Sequence, residues 1–166
     1  MREIKKDTIL FAVVSKDATK SKLIPAYNAL FELNSINASA IIMNIKESDL
    51  GFFMTNVKKS QIKAILLESD YKNKIKEYLD NKDNLENDFI DCFDIENSQL
   101  IGYNTNIEAL ESLNQKDYLN EIKNSDYKII ASNAIINIKR WFDINIKIPE
   151  NFDEIILKFE IEKEDI

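Results

Sequence analysis

A chain of 166 residues with 45% hydrophobic content and a net charge of −7 fits one globular domain with a core of useful size, and it excludes the basic face that non-specific nucleic-acid binding requires. The absence of histidine removes His-based triads and the commonest general base, and the single cysteine, Cys92, excludes an internal disulfide and a cysteine-based zinc cluster. No apolar run reaches the roughly 18 residues of a membrane span, so the expected state is soluble and cytoplasmic, with no membrane and no metal.

The run "TILFAVVS" (Thr8 to Ser15) is continuous and rich in β-formers, the pattern of a strand covered on both faces. Ile24, Tyr27, Ala29, Leu30 and Leu33 then recur at helical spacing, with Pro25 near the first turn, where its missing N–H costs little. "ASAIIMNI" (Ala38 to Ile45) reads as a second buried strand, so the chain opens βαβ. "GFFMTNV" reads as a short strand, and "KKSQIKAILLES" and "DYKNKIKEYLDNK" as two amphipathic helices.

Between Ile45 and Phe52 this reading leaves only about six residues, fewer than a parallel crossover of about a dozen needs, so the third strand is expected to be displaced or absent. "DFIDCFDI" and "QLIGYN" form a candidate hairpin across "ENS". Thr105 and Glu108, three apart, mark a helix start. "DYLNEIKNSDYK" is polar and reads as helix or linker. "IIASNAIINIKRWFDI" reads as a long, mostly apolar helix, and "PENFDEIILKFEIEKE" as a last amphipathic helix with proline at its start.

No G-x-G-x-x-G, Walker loop, G-x-S-x-G or zinc signature is present, and with only Gly51 and Gly102 a dinucleotide-binding turn cannot be built in the usual way. No cofactor is therefore expected. Four phrases nevertheless resemble the substrate-binding domain of shikimate dehydrogenases. "SKDATKSKLIPAYNALF" (Ser15 to Phe31) is similar to that family's "GNPIAHSLSPAMHNAAF", keeping Ser21 and Asn28. "GFFMTNVKKSQI" is similar to "GANVTIPHKEAA", keeping Thr55 and placing Lys59 on the family's catalytic lysine. "LIGYNTN" resembles "LIGYNTDG", with Asn106 where the family has the lysine's aspartate partner. "IIASNAIINIKRWFDI" is similar to the C-terminal helix "MLVAQAAHAFLLWHG", with Asn133 on the substrate-binding glutamine and Trp141 on the tryptophan.

The resemblance implies a substrate domain without the Rossmann domain that the family inserts between its "NTD" helix and its C-terminal helix; "NQKDYLNEIKNSDY" spans that gap here. It implies a vestigial catalytic pair, Lys59 and Asn106, because an asparagine cannot accept a proton in the aspartate's role. It also implies a pocket of Ser21, Thr55, Lys59 and Asn133, with Ser21 toward a ligand's carboxylate and Lys59 toward its hydroxyl. The family's other polar positions have turned apolar, at Leu23, Phe53 and approximately Ile90. Read without the resemblance, Lys58 and Lys59 are solvated lysines, Ser21 and Thr55 are caps or turn residues, and Trp141 belongs to the core.

Asp88, Asp91, Asp94, Glu96, Glu108 and Glu111 form a candidate acidic face. The expectation is a single α/β domain over residues 1–166, with a mostly parallel five- or six-stranded sheet flanked by helices and C-terminal helices over about 127–160 packing back on it. Its expected role is that of a pseudoenzyme: a non-catalytic acidic binding protein, of the kind that inhibits a basic toxin or nuclease as an immunity protein does, with a basic protein as partner. The alternatives are a binder of a small carboxylated, shikimate-like hydroxy acid and a dehydrogenase component that borrows its cofactor domain from another chain.

Overall fold

In a computed structural model, which describes residues 4–81, 89–113 and 125–164, the run from Thr8 supplies the interior strand β1 (Ile9–Ser15). Its lack of a polar face follows from that position, since Phe11, Ala12, Val13 and Val14 are all fully buried. β1 pairs in parallel with β2 (Ala38–Asn44) on one side and with β3 (Ile62–Leu67) on the other, so that Val13 faces both Ile42 and Leu66. Helix α1 (Leu23–Leu33) connects β1 to β2, with Pro25 in its first turn as expected.

The third strand is neither absent nor where the sequence pattern suggested. "GFFMTNV" is helix: α2 spans Leu50–Val57. Leu50, Phe53, Met54 and Val57 are its buried residues, spaced i, i+3, i+4 and i+7, a stripe that becomes visible once Leu50 is counted with the phrase. Thr55 Oγ1 donates to the Gly51 carbonyl (2.9 Å) and Asn56 Nδ2 to the Phe52 carbonyl (2.7 Å), both one helical turn back. "KKSQIKAILLES", expected as a helix, instead turns at Ser60 and supplies β3, whose residues Ala64 to Leu67 are buried in sequence as a doubly covered strand requires. The crossover from β2 to β3 therefore contains α2 and meets the usual length. Within "DYKNKIKEYLDNK" the described residues, up to 81, form a run of turns with a 3-10 turn at Lys76–Tyr78, not an amphipathic helix.

β4 (Cys92–Glu96) pairs antiparallel with β3, with Ile65 opposite Phe93, and β5 (Gln99–Tyr103) pairs antiparallel with β4. The expected hairpin forms across Asn97 and Ser98, both at positive φ (50° and 62°), the backbone that a two-residue turn between right-twisted strands demands. The sheet is thus five-stranded, in the order β2-β1-β3-β4-β5, with β4 alone reversed. One core gathers Ala12, Val14, Ile65 and Leu67 from the sheet with the α2 stripe, Tyr71, Ile75, Leu79, Ile90, Phe93 and Leu100. Each α2 side chain in it contributes about 1.5–3 kcal/mol of burial.

The contacts divide the chain into two compact units, Met1–Ile24 with Asn37–Asn104, and Pro25–Ile36 with Thr105–Ile166. The sheet, α2 and the core just described belong to the first. The second is helical, combining most of α1 with α3 (Thr105–Leu113), α4 (Ser125–Phe142) and α5 (Phe152–Glu164). Within it α3 packs on α4, and the fully buried Tyr27 ring lies 6.0 Å from both Phe31 and Trp141. Asn137, 1% exposed, holds this interior together through its amide. Its Nδ2 donates to the Tyr27 hydroxyl (2.9 Å), and its Oδ1 accepts from the Thr105 hydroxyl (3.1 Å) and Arg140 Nη1 (3.0 Å). Thr105 thus begins α3, but its hydroxyl is turned to α4. "NQKDYLNEIKNSDY" lies largely outside the described residues.

Candidate functional site

In the first unit, the connection leaving β1 runs toward β2 while the chain leaving β3 runs toward β4 on the opposite side. The carboxyl ends of β1 and β3 therefore flank a topological switch point, where crevices open in sheets of this kind. Polar side chains converge there. Ser15 Oγ donates to Asp70 Oδ2 (3.2 Å) and so does the Lys16 N–H (2.7 Å), while the Asp17 N–H donates to Ser15 Oγ (3.1 Å). Ser21, almost fully buried, donates its hydroxyl to Glu68 Oε1 and accepts the Leu23 N–H (3.1 Å) at the start of α1. The Glu68 N–H donates to the Val14 carbonyl (3.1 Å), which fixes the β3 exit against β1. Asp70 Oδ1 is buried with no hydrogen-bond partner.

Charge around this cluster is largely committed. Glu47 bridges Lys16 (2.8 Å) and Lys74 (2.7 Å), and these ammonium groups, Lys16 first, hold its carboxyl down to about 2. The same bond raises the Lys16 ammonium. The Thr19 hydroxyl and N–H hold Asp17 below the usual carboxylate range. Tyr71 donates to the Ile45 carbonyl (2.5 Å), and burial, followed by the Asp70 charge, pushes its hydroxyl up. Glu47 also lines an open depression of about 670 Å³ with Leu50, Asn73, Lys74, Lys76, Glu77 and Tyr78.

The expected pocket residues take other places. Thr55 is exposed on α2 with its hydroxyl spent on the helix backbone, and Lys59 is exposed just beyond the end of α2 rather than following a strand. No hydrogen bond links Ser21, Thr55 and Lys59. The polar residues that follow β3 are instead Glu68, Asp70 and the half-buried Lys72. Sequence reasoning missed Glu68, Asp70 and Lys72, and the apolar run "AILL" before them was the available signal.

In the second unit, Asn133 Nδ2 donates to Asn106 Oδ1, bringing together two residues that the resemblance assigned to one site. Asn133 is 8% exposed, and its own Oδ1 is buried with no hydrogen-bond partner.

The acidic face does not form as expected. Asp91 and Asp94 are 7% and 1% exposed, because they sit at and within β4 in the interior of the sheet, not on its surface. Glu96 pairs with Lys63 (3.7 Å) and Glu108 with Arg140 (3.9 Å). Asp88 and the side chain of Glu111 lie outside the described residues. Among the described residues there is no metal-binding cluster of His, Cys, Asp and Glu, and no helix is long and apolar enough to cross a membrane.

No family model and no curated relative matches the chain. Solved structures do. A shikimate dehydrogenase in complex with NADP+ superposes with a TM-score of 0.62 at 23% identity, over 69% of this chain and 41% of that one. The shikimate dehydrogenase of Aquifex aeolicus gives 0.61 at 19% identity, over 90% of this chain and 66% of that one. The chain shares its fold with part of a shikimate dehydrogenase. The 5-ketofructose reductase of Gluconobacter sp. strain CHM43 is also similar, with a TM-score of 0.59 at 17% identity over 80% of this chain and 51% of that one. The chain therefore spans about two fifths to two thirds of the length of these structures.

These matches correct the expectation of a pseudoenzyme: the proteins that share the fold are dehydrogenases and a reductase, so the architecture is that of an enzyme family. The dinucleotide named with one of them does not fit the residues present here. Gly51 lies inside α2 and Gly102 inside β5, neither has positive φ, and neither forms the strand-to-helix turn that admits a pyrophosphate.

Proposed function

We propose that this chain binds a small polyhydroxylated compound, of the class for which shikimate dehydrogenase and 5-ketofructose reductase are named, at the carboxyl ends of β1 and β3 in its first unit. One observation carries the reading. The β1 exit closes on Asp70 of the β3 exit, through the Ser15 hydroxyl and the Lys16 N–H to Oδ2, while Asp70 Oδ1 is buried and lacks a donor. An acceptor in that state costs about 1–3 kcal/mol, and a ligand hydroxyl that donates to it recovers much of that cost. Ser15 and Ser21, whose hydrogens go to Asp70 and Glu68, add Oγ lone pairs that can accept from a ligand hydroxyl, and Lys72 follows on the same exit. The fold likeness supports the choice of ligand class, and the position at a switch point supports the choice of place.

The test is a thermal-shift titration with shikimate, quinate and 5-ketofructose at millimolar concentration, followed by calorimetry for any that bind. A ligand at one hundred times its Kd stabilises by about 2.7 kcal/mol, which is readily seen. Asp70→Asn keeps an oxygen for Ser15 and Lys16 but sets an amide donor in place of Oδ1. It should keep the fold and lose the shift. No shift with any of the three compounds at millimolar concentration overturns the reading.

A further inference from the structure

We propose that Glu68 is a specificity-determining residue that makes the site at the β1 and β3 exits select uncharged polyols over hydroxy acids. The inference rests on the binding proposed above and concerns which members of that ligand class are accepted. Ser21 is the hydroxyl that the resemblance would turn toward a ligand's carboxylate, and in this chain it donates to a carboxylate of the protein instead. Glu68 is not free to swing away with its backbone, because its N–H is bonded to the Val14 carbonyl on the neighbouring strand. A ligand carboxylate at Ser21 would have to displace Glu68 from its donor and then remain beside it as a like charge.

The neighbouring carboxylates add to that repulsion. Asp70 follows two residues later on the same exit, and Asp17 lies on the exit of β1. Among the nearby cations, Lys16 is already paired with Glu47, Lys22 has an interaction of its own, Lys20 is exposed on its short turn, and the half-buried Lys72 on the same exit is one positive charge against the two negative ones of Glu68 and Asp70. Hydroxyl groups escape both objections. They donate to Glu68, to Asp70 Oδ1 and to the Oγ lone pairs of Ser21 or Ser15, whose own hydrogens stay on Glu68 and Asp70, so a neutral polyol meets acceptors that a carboxylate could only repel. Like-charge contact beside the half-buried Glu68 corresponds to a discrimination of roughly 30-fold or more.

The decisive comparison is shikimate against its methyl ester, which keeps the hydroxyls and removes the charge, with quinate and 5-ketofructose as second members of each class. Calorimetry on the intact chain should show the ester and the ketose binding at least about tenfold more tightly than the two acids. Glu68→Gln retains an oxygen for the Ser21 hydroxyl and removes the charge. In that variant the acids should gain while the ester changes little, closing the gap to within about threefold. Shikimate binding to the native chain as tightly as its ester would overturn the assignment and leave the binding proposal standing, and that arm needs no variant to fold. Binding of no compound in either class would overturn both.

Discussion

Replacing Gly102 with alanine tests whether the phrase "LIGYN" contains glycine for reasons of space. The residue sits in the middle of β5 at an ordinary φ, so backbone freedom is not the reason. A Cβ built there comes 2.3 Å from Leu79 Cδ1, and its next nearest neighbours, Ile90 Cγ2 and Leu79 Cγ, are at an acceptable 3.5 Å. Carbon atoms rest at about 3.5–4.0 Å, so the Leu79 methyl must retreat by more than about 1 Å. Leu79 is 3% exposed and belongs to the core over the sheet, which leaves it little room to do so. Overpacking of this kind costs about 1–3 kcal/mol, and the reduced freedom of the unfolded chain returns about 0.4–1 kcal/mol. The expected net loss is about 1–2 kcal/mol. Urea melts followed by circular dichroism should show a lower midpoint at unchanged slope. The double-mutant cycle is the sharper measurement. In a Leu79→Ala background, itself costing about 2–5 kcal/mol, the methyl is gone and Gly102→Ala should be neutral or stabilising. If Gly102→Ala costs the same in both backgrounds, the steric account of this glycine is wrong.

Further tests address the remaining polar contacts. Asp80 accepts the Leu100 N–H (2.7 Å) as well as pairing with Lys58, so Asp80→Ala should cost about 1–3 kcal/mol in urea melts while Lys58→Ala, losing only a half-exposed ion pair, costs under about 1 kcal/mol. Equal losses would refute the distinction. Asn137→Leu leaves the buried Tyr27 and Thr105 hydroxyls without their amide and should cost at least about 2 kcal/mol; a neutral substitution would show that the network is not structural. Glu47 is depressed from 4.5 to about 2, so its ion pairs stabilise fully above pH 4.5 and are lost as pH falls through about 2. The Tm advantage of the native chain over Glu47→Gln should therefore vanish across that window and shrink with salt, and a constant difference would contradict it. Ser98 occupies the left-handed region at φ 62°, so Ser98→Gly should raise the urea midpoint by the equivalent of about 1 kcal/mol.

The opening βαβ was legible because its evidence is local. An uninterrupted apolar run has only one stable place, between two neighbours, and Pro25 and the helical spacing after it mark α1 without ambiguity. The β4–β5 hairpin was legible from its short polar connection, and α4 from its length. Asn106 and Asn133 came from the resemblance and are hydrogen-bonded within their unit, which no pattern of periodicity could have disclosed. The acidic face failed for the opposite reason. Asp91 and Asp94 look like surface charge in sequence, and their burial depends on β4 lying between β3 and β5.

The exchange of α2 and β3 shows how a local ambiguity moves a site. "GFFMTNV" and "IKAILL" are both short apolar runs, and runs of this length do not separate helix from strand by periodicity alone. Cutting the first phrase at Gly51 removed Leu50, the residue that completes the helical stripe, and starting the second at Lys58 merged a helix end with a strand. Once the strand is placed at Ile62–Leu67, the side chains that follow it are Glu68, Asp70 and Lys72 rather than Lys59. Their partners are Ser21 and Ser15, 47 and 55 residues away in sequence. These pairings exist only because β1 and β3 are neighbours, and that adjacency is a property of the sheet order. A serine that the motif would give to a ligand is thereby held by the protein's own carboxylate, a contact that follows from the strand exit that supplies it.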